Sequence, residues 1–267
     1  MVKLETVKLV YFSPTGTTKA VVRGIVHGLD PGTMEFVDIT KPGARERPLR
    51  ASENELLVVA VPVYMGRVPA LLIDWLNSIQ SHNTPTVCVV VYGNRVYDDA
   101  LLELKNIVVK CGGIPVSCAA YIGEHSFSNA ETPVAKGRPD EDDLNHAEAF
   151  GQKIREKLQS ISSVSQLSDV HVPGTYPYRG DSKLWVVDFI AVGDHCVQCG
   201  ACAEACPVGA IDLHDSAMIK KEKCITCCAC IKRCPQKART MKPSSVKDAA
   251  KRLNALYKEW KAPEWFF

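Results

Sequence analysis

Along the first 160 positions, apolar residues gather in short dense runs separated by segments of helical spacing. The runs cover residues 7–12, 34–37, 56–61, 87–91 and 114–122. The third and fourth, LLVVAV and VCVVV, are almost unbroken, as in strands buried on both faces. Residues 17–28 follow a Thr-rich start and predict a helix, and 69–79 carry Leu72, Leu76 and Ile79 at helical spacing. Residues 98–111 open on two acids and end before Gly112-Gly113, which suits a helix dipole and a C-cap. A last helix starts in the acidic run 140–143 and repeats Leu144, Ala147, Phe150, Ile154 and Leu158 on one face. Five strands alternating with four to five helices predict an α/β, doubly wound, five-stranded parallel sheet over residues 1–160.

The pattern then breaks. Residues 161–189 run from ISSVSQLSDV into VPGTYPYRGD without a sustained period, and read as a linker lying on a domain surface. Residues 190–242 form a small cysteine-rich domain. The remainder, 243–267, holds an amphipathic helix over 244–260 and a tail ending in Trp265-Phe266-Phe267. On that helix Val246, Ala249, Leu253, Leu256 and Trp260 share one face, and Ser245 with Asp248 resembles a capping box.

Composition changes the picture at one point. The chain has 267 residues, is 46% hydrophobic, and sets 32 basic against 30 acidic residues. That balance offers no polyanion-binding excess, so no nucleic-acid partner is expected. The N-terminus lacks the apolar core of a signal peptide and no apolar stretch is long enough to span a membrane, so a cytoplasmic protein is expected. Of twelve cysteines, three (Cys88, Cys111, Cys118) lie in the first 160 residues and nine lie between Cys196 and Cys234. Clustered cysteines in such a protein point to metal rather than disulfides.

Their spacing repeats once: Cys196-x2-Cys199-x2-Cys202-x3-Cys206-Pro207, then Cys224-x2-Cys227-x2-Cys230-x3-Cys234-Pro235. This resembles the bacterial ferredoxin run, in which three thiolates wrap one 4Fe-4S cubane and the fourth reaches the other cluster. The expected metal ligands are Cys196, Cys199, Cys202 and Cys234 for cluster one, and Cys224, Cys227, Cys230 and Cys206 for cluster two. Zinc needs four ligands per site and does not demand the x3-Cys-Pro ending. Cys228 breaks no spacing and reads as a buried packing residue.

The first strand feeds the first helix through Ser13-Pro-Thr-Gly-Thr-Thr18, where helix N–H groups and hydroxyls suit an anion. A Walker lysine, a dinucleotide glycine pattern and a nucleophilic cysteine are all missing from it. Plain N-capping by Thr is the competing reading. In an open sheet the ligand lies at the carboxyl ends of the strands. The loops after strands three and four bring Pro62, Val63, Tyr64, Met65 and Gly66, and Tyr92, Gly93, Asn94, Arg95, Tyr97 and Asp98, to that edge. Tyr64 and Tyr97 could sandwich a planar ring, and Gly93 and Asn94 could offer backbone groups to its heteroatoms.

Taken together, residues 1–160 look like flavodoxin and 190–240 like a two-cluster ferredoxin. Nearly the whole chain resembles the flavodoxin–ferredoxin fusion proteins of anaerobic bacteria and archaea. The resemblance implies FMN between the loops at Tyr64 and Tyr97, its phosphate on Ser13, Thr15, Gly16, Thr17 and Thr18, and two 4Fe-4S clusters. The loop 123–127 would close over the flavin's outer edge, with His125 either a satisfied loop residue or a proton donor. The implied function is electron transfer between clusters and FMN. A redox partner protein (a ferredoxin or an oxidoreductase) and a small acceptor at the flavin are the expected partners. An NAD(P)H-dependent flavin or quinone reductase and a redox or iron sensor are the alternatives. Docking of the aromatic terminus on the ferredoxin surface, a homodimer and disorder are left open by the sequence. With both clusters and the FMN phosphate counted, the holoprotein charge falls to about −4.

Overall fold

A computed structural model describes residues 5–180 and 185–267. The α/β module runs β1 (Thr6–Tyr11), α1 (Thr17–Leu29), β2 (Met34–Asp38), β3 (Arg50–Ala51), β4 (Glu55–Pro62), α2 (Ala70–Asn77), β5 (Gln80–Ser81), β6 (Thr84–Tyr92), α3 (Ala100–Lys110), β7 (Gly113–Ile122) and α4 (Glu141–Ser160). Within the cysteine module lie β8 (Ile190–Val192), α5 (Ala201–Glu204), α6 (Ala229–Lys232) and β9 (Arg239–Met241). The chain closes with α7 (Ser245–Leu256) and β10 (Glu264–Phe266).

The main sheet is ordered β10-β7-β6-β4-β1-β2, with β3 and β5 a separate short pair. Its five long strands are parallel and take the flavodoxin-like order 2-1-3-4-5, whose switch point lies between β1 and β4. All nine residues of β6 are buried, as expected for a central strand covered on both faces. Strand parity sorts the core into two layers. Val10, Phe12, Val59, Val61, Val90 and Ile122 meet Leu72 and Leu76 of α2 and Leu101 and Leu104 of α3. Leu9, Val58, Val89 and Tyr121 meet Val21 and Ile25 of α1 and Phe150 and Ile154 of α4. A Cβ on Gly28 or Gly151 would overlap the facing helix backbone, so these two glycines let α1 and α4 close on each other.

The five expected parallel strands are all present, and the tail adds a sixth. Glu264–Phe266 pairs antiparallel with β7, Trp265 opposite Ala119, and covers the sheet edge. Trp265 stacks on His146 at a 4.2 Å centroid separation, and its ring also faces Phe150. The aromatic terminus is thus packed on the α/β module, not on the ferredoxin surface.

The last helix is also shorter than its periodicity suggested. It ends at Leu256, and the hydroxyl of Ser244, not Ser245, caps it by accepting from the Lys247 N–H at 3.3 Å. Leu256 and Trp260, expected on its buried face, are exposed.

Residues 161–180 pack on the α/β module through firm anchors. Val170 is fully buried, and the Lys105 ammonium donates to the Val170 carbonyl at 2.7 Å and to Asp169 at 2.9 Å. Buried Asp99, at the start of α3, accepts backbone N–H bonds from Thr175 and Arg179. Burial by itself would raise its carboxyl, but those bonds and the Arg179 charge hold it below the ordinary range.

Candidate functional site

The loops after β1, β4, β6 and β7 all open into one cavity of about 520 Å³ at the carboxyl edge of the sheet. That volume is in the range of small-molecule and cofactor pockets. Ser13, Thr15, Thr17 and Thr18 line it at one end, with Pro62, Val63, Tyr64, Met65, Gly66, Tyr92, Gly93, Arg95 and Asp98 along its walls.

The first loop is built for an anion. Gly16 takes φ 99 and precedes α1, so the helix starts with no side-chain cap. Ser13 Oγ is engaged by the Lys19 N–H at 3.0 Å. The hydroxyl of Thr18 is buried, lines the cavity, and has no hydrogen-bond partner among the described residues. A buried hydroxyl left unpaired in this way is costly, and a phosphate oxygen there would satisfy it together with the free N–H groups of the helix start. Over the same loop, a Cβ on Gly16 would lie 3.4 Å from Arg233 Nη2, so a guanidinium of the cysteine module stands beside it.

The β4 loop is a tight hairpin. Tyr64 and Arg67 exchange backbone bonds of 3.0 Å, with Met65 at φ 54 and Gly66 at φ 80. Two positive φ values at the central residues mark a primed turn, which needs the freedom of glycine. Glu103 of α3 fixes this hairpin by accepting from Arg67 Nε (2.9 Å) and Nη2 (2.7 Å) and from the Val68 N–H (2.9 Å). Burial, then the nearby thiols of Cys227 and Cys228, holds the Tyr64 phenol well above its ordinary value.

In the β7 loop, His125 lines the cavity beside Glu124, Ser126 and Phe127. Its Nδ1 accepts the Phe127 N–H at 3.0 Å, which leaves the proton on Nε2. Burial, with Lys232 and Arg95 adding to it, lowers the imidazole to about 4, so it is neutral at physiological pH. Gly93 is required opposite, because a Cβ there would overlap the His125 ring.

Three of the sequence candidates do not line the cavity: Gly16, Asn94 and Tyr97. Gly16 shapes the loop from behind. Asn94 is turned away, its amide donating to the carbonyls of Tyr257 and Glu259. Tyr97 packs edge-on against Tyr92 and donates its hydroxyl to Glu264 at 2.6 Å, so the expected Tyr64–Tyr97 sandwich is replaced by a clasp on the tail. Trp185, Arg179, Ile225, Thr226, Ala249 and Leu253 line the cavity without having been signalled by the sequence. They come from the linker, the second cysteine loop and α7, and no local pattern could announce their docking.

The eight motif cysteines divide between two small cavities. Cys196, Cys199, Cys202 and Cys234 line one, and Cys206, Cys224, Cys227 and Cys230 the other. The two halves match in detail. The Ala210 N–H donates to Cys206 Sγ at 3.2 Å, and the Ala238 N–H to Cys234 Sγ at 3.3 Å. Position 200 in the first half is Gly at φ 75, and its counterpart Cys228 takes φ 56 with its thiol buried. Burial pushes the Cys230 thiol up to about 12 although Arg239 opposes it. Four thiols set around one space are the donor chemistry of an iron–sulfur site, whose iron would supply the positive charge that thiolates need. Among the described residues, no three His, Cys, Asp or Glu side chains converge tightly enough for a single ion. Each cysteine set surrounds a space instead.

Residues 195–238 match the 4Fe-4S dicluster domain family. No curated protein matches the chain. Among solved structures, an archaeal flavodoxin is 16% identical, covering 58% of this chain and 99% of its own, with a TM-score of 0.41. A Streptococcus pneumonia flavodoxin is 17% identical over 57% of this chain and 99% of its own, TM-score 0.40. A Fusobacterium nucleatum flavodoxin mutant bound to flavin mononucleotide is 16% identical over 59% and 97%, TM-score 0.39. The fold assignment rests on the strand order itself. No helix among the described residues is long and apolar enough to cross a membrane.

Proposed function

We propose that this fusion of a flavodoxin-like module with a 4Fe-4S dicluster module passes electrons inside the cell between two 4Fe-4S clusters and FMN. The carrying observation is the composition of the large cavity, where four loops of the α/β sheet and the second cysteine loop bound one space. FMN supplies one- and two-electron chemistry and the clusters one-electron chemistry, so joining them in one chain makes transfer internal.

The chain's own residues position and insulate. Thr15, Thr17, Thr18 and the start of α1 receive the phosphate, with Arg233 as a nearby countercharge. Tyr64 would face the ring from the cavity wall, and the Glu103–Arg67 pair holds that hairpin in place. Neutral His125 presents an Nε2–H donor on the cavity wall. Ala249 and Leu253 of α7 roof part of the cavity with apolar side chains. The roof also narrows the flavin's external acceptors to small molecules, while a redox partner protein exchanges electrons with the clusters.

Anaerobically purified protein is expected to show flavin bands with broad iron–sulfur absorption, and about eight irons per chain. Bleaching followed by stopped flow with reduced ferredoxin, beside NADH and NADPH, separates a relay from a nicotinamide reductase. Zinc in place of iron, or a chain that binds no FMN, would overturn the reading.

A further inference from the structure

The two cysteine sets stand differently toward the large cavity. Ile225, between Cys224 and Cys227, lines both that cavity and the small one bounded by Cys206, Cys224, Cys227 and Cys230. One side chain is therefore the wall between the two spaces. From the α/β side, Tyr64 reaches the same place, with the thiols of Cys227 and Cys228 as its neighbours. Ile225 and Cys227 even belong to the apolar cluster that forms one layer of the α/β core. The arginine of the β2-side loop, Arg45, adds a 2.8 Å bond to the carbonyl of Pro207, directly after Cys206.

The other set faces outward. Its cavity shares no lining residue with the large one among the described residues. Cys199 is exposed, and Val197 beside it is 62% exposed.

We infer that the second set (Cys206, Cys224, Cys227, Cys230) holds the inner cluster, one side chain from the flavin. The first set (Cys196, Cys199, Cys202, Cys234) then holds the outer cluster, where electrons enter and leave. The order rests on the FMN and cluster reading proposed above. Electron transfer falls off steeply with distance through protein, so the nearer cluster is the obligatory neighbour of FMN. Each step moves one electron. An external one-electron carrier is oxidised as the outer cluster is reduced, and the outer cluster is reoxidised as the inner one is reduced. The inner cluster is reoxidised in turn as FMN takes the electron, so two such passages, with two protons from water, reduce FMN by two electrons. The reverse flow runs through the same steps backwards.

The test is magnetic and independent of turnover. Wild type, Cys199→Ala and Cys224→Ala are partly reduced with dithionite under anaerobic conditions, and the microwave power saturation of the flavin radical signal is measured. A reduced cluster next to the flavin relaxes that signal quickly. Wild type and Cys199→Ala are expected to keep the fast relaxation, and Cys224→Ala to lose it. Loss in Cys199→Ala, or retention in Cys224→Ala, would overturn the order. Should Cys224→Ala not fold, Cys199→Ala decides alone by the same criterion, because its loop lies on the exposed side. A wild type lacking FMN or iron overturns the cofactor reading and the order with it. A reversed pattern with both cofactors bound overturns the order alone.

Discussion

The side-chain amide of Asn94 donates to the carbonyl oxygens of Tyr257 and Glu259, at 2.9 Å each. Asn94 sits between Gly93 and Arg95, both on the cavity wall, and is 3% exposed. The carbonyls it serves lie just beyond the end of α7. The floor of the cavity is thereby tied to its roof. Two further contacts continue the tie: Arg138 Nη1 donates to the Lys261 carbonyl at 2.7 Å, and its guanidinium lies 5.2 Å from the Trp260 ring centroid.

Asn94→Gly removes both bonds while keeping the backbone at φ 64 free of strain. A loss of ~1–3 kcal/mol is expected, with faster amide exchange through 245–256 and faster FMN release. Exchange mass spectrometry checks it. An unchanged exchange pattern in α7 would mean the tie carries no weight.

Thr18→Val has opposite effects on the two forms of the protein. The Thr18 hydroxyl has no partner in the described chain, so the apoprotein should be as stable as wild type or more so. FMN loses a hydrogen bond to its charged phosphate, and its Kd should rise roughly tenfold or more. Calorimetric melting of the apoprotein and flavin titration read the two separately.

Glu103→Gln leaves Arg67 without its carboxylate in a site where Glu103 is 4% exposed. Breaking one side of a buried pair costs about 3 kcal/mol or more. The denaturant midpoint should fall with an unchanged m value, and FMN should bind more weakly because the Met65–Gly66 turn is released.

His125 makes stability depend on pH in a defined window. Its folded value of about 4 lies below the ordinary value of 6.5. The unfolded chain therefore takes up this proton first, and stability is lost as pH falls from about 6.5 towards 4, below which the contribution levels off. His125→Gln should flatten that part of the profile in chemical denaturation between pH 7 and 4. A slope unchanged by the substitution would show that other groups cause it.

The cysteine sites were the most legible part of the chain. Eight residues at fixed spacing with two Cys-Pro endings resemble the bacterial ferredoxin run, and that resemblance implies which four share a cluster. In the fold, Cys234 lines the cavity of the first three cysteines and Cys206 that of the second three. The parallel sheet was equally legible, since strands buried on both faces must read as unbroken apolar runs and β4 and β6 do. The β1 loop was legible as a candidate anion site through its hydroxyls and a glycine before a helix, and the unpartnered Thr18 hydroxyl lies there.

Other features were decided only when distant segments met. Asn94 and Tyr97 look like ligand residues beside Gly93, yet they bind the tail, because residues 257–267 return to the sheet edge and compete for them. Trp265 gives no strand signal by itself; it becomes part of β10 because the open edge of β7 offers unpaired backbone and His146 and Phe150 offer aromatic faces. Ile225 reads as an ordinary spacer between two cysteines. Its place between the large cavity and the cavity of the second cysteine set depends on how one module docks on another. Local spacing determines what a loop can hold, because only neighbours in sequence set its geometry. Which loop faces which cofactor depends on contacts between residues far apart in the chain, and those exist only once the chain has folded.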